Sequence, residues 1–131
     1  SPERNVWASL GQKIFEQNLD INMYEDRRAP SPFAFQEQSY IYSILETAGF
    51  VGITIEGVET IVDWYSGISI GQAVNNLLHA NPVVAEKLSS VDVSSQSLIR
   101  AELETSYAKY VSGGAIRFPV AVWVVSAVSS Y

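Results

Sequence analysis

The chain has 131 residues, 47% apolar and 17% charged, with a net charge of −6. These values describe one globular domain with a real core and exclude a disordered chain; the acidic balance repels phosphate backbones and excludes nucleic acid as an expected partner. Cysteine is absent, so disulfides, thiolate nucleophiles and zinc–thiolate sites are excluded, and a cytoplasmic location is expected.

The opening Ser1-Pro2-Glu3-Arg4 lacks the apolar run of a signal peptide, and its first residue, not a Met, implies a trimmed chain. Val6, Leu10, Ile14 and Phe15 recur at helical spacing beside Trp7, which predicts a helix over residues 6–19 capped by Asn5. Residues 20–35 read as loop. Arg27-Arg28 follows Glu25-Asp26 and suits a solvated segment, and Pro30 and Pro32 prevent regular structure. Phe33 and Phe35 are expected to anchor this loop in the core.

Glu37 to Ala48 is the clearest predicted helix, with Ile41, Ile44, Leu45 and Ala48 on one face and a left-handed stop at Gly49. Over 51–59, Val51, Ile53 and Ile55 alternate with Gly52, Thr54 and Glu56, the pattern of a half-exposed strand. Residues 61–67 read as an aromatic-rich connection. Ser69 is the expected cap of the next helix, which turns Ile70, Ala73, Val74, Leu77 and Leu78 inward. Asn81-Pro82 starts a short helix that runs to about Leu88. A further helix begins near Ser94 or Ser95, carries Leu98, Ile99, Leu103, Tyr107 and Tyr110 on one side, and ends at Gly113-Gly114. A long strand without acidic residues follows over 115–128; its apolar part, Phe118 to Val125, is too short to span a bilayer.

Chemistry-bearing motifs are sparse. No Gly-rich phosphate loop occurs. His79 is the one histidine, has no metal-ligand spacing around it, and suits a helix C-terminus. Glu56, Glu59 and Asp63 form the best carboxylate group, able to do acid–base work if one is desolvated and otherwise a hydrated strand end. Trp7, Tyr24, Trp64 and Tyr65 sit in loops or at helix starts, where rings suit a ligand pocket and an oligomer interface equally. No metal ligands are assigned.

Several segments resemble the C-terminal half of class I S-adenosylmethionine-dependent methyltransferases. They are Asn5-Val6-Trp7, Ser31-Pro32-Phe33-Ala34-Phe35, Tyr40 to Phe50 ending in Ala48-Gly49-Phe50, Ile53-Thr54-Ile55-Glu56, and Arg117-Phe118-Pro119 through Ala127. The resemblance spans about residues 2–128. It implies that the two strands are the last two of a seven-stranded sheet, antiparallel to each other. The family's cofactor-holding N-terminal half has no counterpart here, so no cofactor and no cofactor residues are expected.

The expected fold is a single α+β domain over 1–131, mainly helical, with antiparallel strands at about 51–59 and 115–128 and a sheet completed by oligomerisation. An edge at Val120, Val122 and Val124 invites another chain, and Pro119 blunts one position of it. A homo-oligomer, favoured as a dimer, is therefore expected through the last strand or the helices that cover it. The favoured functional reading is a non-catalytic interaction or small-molecule-binding module, with a small apolar ligand and no membrane or nucleic-acid partner. The alternatives are half of a split methyltransferase that needs an N-terminal partner, and a small acid–base enzyme using Glu56, Glu59 and Asp63.

Overall fold

A computed structural model describes residues 1–23, 26 and 29–131. Tyr24, Glu25, Arg27 and Arg28 lie outside the described residues, and with them the Tyr24 pocket assignment. The architecture is α+β. A 3-10 turn, Pro2–Arg4, leads into α1 (Val6–Leu19) and then α2 (Gln38–Thr47), β1 (Phe50–Ser66), α3 (Ile70–Ala80), α4 (Pro82–Ser90), α5 (Val93–Ala108), β2 (Val111–Ser112) and β3 (Ala115–Ser129). The three strands form one antiparallel sheet in the order β1-β3-β2.

The caps behave as short-range chemistry dictates. Ser69 and Gln72 make a reciprocal capping box, with the Gln72 N–H donating to Ser69 Oγ at 3.1 Å and the Ser69 N–H to Gln72 Oε1 at 3.0 Å. Asn81 Oδ1 accepts from Val83 and Val84, and Pro82 takes the first turn of α4. α5 is capped by Asp92, whose carboxylate accepts from the Ser95 N–H at 2.6 Å. That bond holds the Asp92 carboxyl below its ordinary range.

Three expectations about elements are corrected. β1 runs on to Ser66, so residues 61–67 are mostly strand. The acidic residues there hide a β-branched and aromatic series, Val58, Ile61, Val62 and Trp64, and the length of β3 supplies its ladder. Gly113 and Gly114 close the β2–β3 hairpin rather than α5, which stops at Ala108; φ values of 59° and 77° are what a two-residue hairpin turn requires. Phe35 does not enter the core but stays 57% exposed, and Leu98, Ile44 and Ala48 also face outward.

The core lies at one end of the sheet. α1, α3, α4 and α5 enclose Phe15, Val74, Leu78, Ile99, Leu103 and Tyr107, together with Ile116 and Phe118 from the first part of β3. Phe118 meets Tyr107 and Tyr110 edge-on, with ring centroids 5.3 and 5.2 Å away. Burial pushes the Tyr107 hydroxyl far above its ordinary range, and the nearby Tyr65 adds to this. Further along the same face of β3 the surroundings change. Val122, Val124 and Val128 are 50%, 49% and 63% exposed, because the helical body covers only the base of the β1–β3 ribbon. α2 lies against β1 beside the ribbon. No helix among the described residues is long and apolar enough to cross a membrane.

Candidate functional site: an aromatic cleft beside an open strand edge

A cleft of about 1210 Å³ opens where the start of α1, the loop before α2, α2 itself and the middle of the ribbon meet. Its centre is a three-ring stack. The Trp7 ring lies 4.7 Å from Trp64 at 12° and 5.5 Å from Phe33 at 21°. Each ring arrives by a different local device. Trp7 is the second residue of α1. Trp64 is aimed by a β-bulge, where Asp63 and Trp64 on β1 oppose Arg117 alone on β3. Phe33 sits in a turn made by Pro32 and Ser31, with its N–H donating to Ser31 Oγ at 3.1 Å and its carbonyl accepting from the Gln36 N–H at 3.1 Å.

Trp123 ties that loop to the sheet: its indole Nε1 donates to the Gln36 carbonyl at 3.0 Å. Gly57 stands opposite Trp123 in the register, and a Cβ there would come 3.1 Å from the Trp123 ring, so the glycine lets the indole lie across β1. Ile41, Leu45, Val58 and Val62 complete an apolar wall. Gln36 Oε1 is buried without a hydrogen-bond partner, an unmet acceptor that costs about 1–3 kcal/mol.

The edge of β3 borders the same cleft. Only Ala115 and Ile116 are paired by β2, with one further bond from the Arg117 N–H to the Tyr110 carbonyl at 2.9 Å. Backbone groups alternate sides along a strand, so Arg117 fixes the odd-numbered residues as those whose N–H and C=O point away from β1. Pro119 falls at such a position, where its missing N–H costs the β1–β3 ladder nothing. At Ala121 the edge is met by a side chain. Asn5 Nδ2 donates to the Ala121 carbonyl at 3.1 Å, and the Ala121 N–H donates to Asn5 Oδ1 at 3.1 Å. A single side-chain amide thus makes both bonds that a neighbouring strand would make. Asn5 also donates to the Ser1 carbonyl at 2.9 Å and accepts from Trp7 Nε1 at 3.3 Å.

Asn5 occupies the N-cap position of α1 yet makes no side-chain cap, which corrects that expectation: its amide is committed to β3 instead. The edge residues are likewise reassigned. Val120 is buried, and the backbones of Val120, Val122 and Val124 serve the β1 ladder, so the free edge groups belong to Trp123, Val125, Ala127 and Ser129.

The structure brings Trp7 and Trp64 together and sends Tyr65 elsewhere. Beyond the bulge Tyr65 pairs with Ile116 and approaches Tyr107, ring centroids 6.4 Å apart; burial raises its hydroxyl, offset in part by a hydrogen bond with Trp64. The three acids do not converge. Glu56 stands opposite Val124 on one face of the ribbon, whereas Glu59 and Asp63 stand on the other. Glu59 pairs with Arg4, and Asp63 pairs with Arg117 at 2.6 Å, all with exposed side chains. Among the described residues no three acidic or histidine side chains could hold a metal ion. His79 Nδ1 lies 2.8 Å from the Asn75 carbonyl oxygen in the last turn of α3, a structural setting. Sequence reasoning missed Asn5 as an edge partner, as well as Trp123 and Gly57; a lone glycine within an apolar strand was the signal available for the last.

Comparison with protein-family models, with curated proteins and with solved structures found no match to this chain.

Proposed function

We propose that this chain is a non-catalytic binding module whose cleft takes a flat, apolar small molecule and whose open β3 edge joins it to a second copy. The stacked Trp7, Trp64 and Phe33 rings in a cleft of about 1210 Å³ carry the reading. Trp64, stacked on Trp7 yet 41% exposed, offers ring area in a concave, mostly apolar site, which favours a planar ligand through area burial and stacking. The carboxylates fit no catalytic role here: Glu59 and Asp63 are each engaged by an arginine in exposed pairs, and Glu56 lies on the opposite face. The resemblance to a methyltransferase C-terminal region is in keeping with this reading, since such a region shapes a substrate side without gripping the cofactor.

Titration with indole, followed by the three tryptophan side-chain N–H resonances, tests the reading. Saturable shifts of the Trp7 and Trp64 signals are expected, with at least tenfold weaker binding in Trp64→Ala. Linear, unsaturated shifts in a folded protein would refute the cleft as a binding site.

The split-methyltransferase reading is favoured by one observation, the long open edge of β3 lying antiparallel to β1. Calorimetric titration with S-adenosylmethionine separates the two. Cofactor binding that emerges only with an added N-terminal partner supports the split enzyme, and none in either setting supports the binding module.

A further inference from the structure

The free edge groups of β3 belong to Trp123, Val125, Ala127 and Ser129, bounded on one side by the Asn5 amide at Ala121. From Phe118 to Tyr131 no side chain is charged. A chain of net charge −6 can therefore approach its own copy along this line without opposing like charges. We infer that two copies pair edge to edge through β3, antiparallel and two-fold symmetric about Ser126, to make one continuous sheet. This rests on the oligomeric reading above and adds the surface and its register.

The register follows from the positions that are open. Centred on Ser126, the four free residues pair entirely among themselves: Val125 faces Ala127 of the second copy, and Trp123 faces Ser129. Each pair exchanges two backbone bonds. Large then stands opposite small, and Val124 stands opposite Val128 on the other face, so the exposed valines meet each other. Moving the centre one residue back to Val125 sets Ser129 against Ala121, which Asn5 already occupies, and leaves Ser129 without bonds. The match is self-complementary in backbone, size and charge, which singles out a second copy over an unrelated strand. Trp123 and Val125 also line the cleft, so the second copy would border it.

Light scattering on the eluting protein, with cross-linking, tests this. The wild type should give twice its 14.4 kDa mass, and Val125→Pro should give a folded monomer, because Pro119 already shows that an outward position accepts proline without loss to β1. As the chain has no cysteine, single substitutions Val124→Cys, Val125→Cys and Ser126→Cys report the register under oxidation, and Ser126→Cys should cross-link fastest, by at least fivefold. A dimer that survives Val125→Pro, or that cross-links best at 124 or 125, overturns the register while leaving the oligomeric reading in place. A wild type that stays monomeric at every concentration overturns both. Should Val125→Pro fail to fold, the cysteine series alone decides.

Discussion

Replacing Asn5 by alanine tests how the edge of β3 is held. Asn5 is 3% exposed and makes four hydrogen bonds, two of them to Ala121. The substitution removes the acceptor for the Ala121 and Trp7 N–H groups and the donor to the Ala121 and Ser1 carbonyls. Each bond to β3 contributes about 1 kcal/mol net, and groups left partly buried without partners add about 1–2 kcal/mol more. The expected loss is about 2–4 kcal/mol, a large share of a total stability of about 5–15 kcal/mol. With a urea m-value of about 2 kcal/mol/M, the midpoint should fall by about 1–2 M at unchanged slope. Amide exchange at Ala121 should accelerate selectively. Asn5→Asp separates the donor from the acceptor: it keeps the acceptor but turns a carboxylate toward two carbonyl oxygens. It should be at least as unstable at neutral pH and recover on acidification, because a carboxyl whose folded pKa is raised loses stability as pH rises. An unchanged midpoint with Ala121 still protected would refute the account of Asn5 as a surrogate strand.

Two further outcomes follow from the core. Burial raises the hydroxyls of Tyr107 and Tyr65 above their ordinary 10.0, so their contribution is intact below pH 10 and is lost as pH climbs toward the folded values. Urea midpoints measured from pH 8 upward should decline above about pH 10, by at most about 1.4 kcal/mol per pH unit for each tyrosine, and Tyr107→Phe should shallow that decline. A slope identical in the variant counts against it. Phe118→Ala empties a fully buried site between Tyr107 and Tyr110 and should cost about 3–5 kcal/mol, read by thermal or urea unfolding; a cost below about 1 kcal/mol would mean that the helical body does not depend on the base of β3.

Much of the helical scaffold was legible along the chain because its signals are local. The stripe Ala73, Val74 and Leu78, the Ser69 box and the Asn81-Pro82 restart all act within a few residues, and each stands as expected. Errors arose where a local signal had two uses. Gly113-Gly114 can stop a helix or turn a hairpin, and only the pairing of Val111 with Ile116 chooses. Leu98 sits beside the true stripe of Ile99, Leu103 and Tyr107, and a turn's worth of ambiguity placed it inward. The end of β1 was hidden because Glu59 and Asp63 interrupt the apolar alternation, whereas in the fold their partners are Arg4 and Arg117.

The candidate site was legible only as an inventory of rings. Composition and order gave Trp7 and Trp64; a bulge against Arg117 and a helix start made them neighbours, while the same bulge turned Tyr65 to the core. Amino-acid order alone settled class, charge, the caps at Ser69 and Asn81 and the absence of thiol chemistry, because those depend on residues near one another or on none at all. Which side of β3 lies open, which acids meet arginines and which amide stands in for a strand were settled by folding. Those outcomes depend on contacts such as Asn5 with Ala121, 116 residues apart, that no short-range pattern encodes.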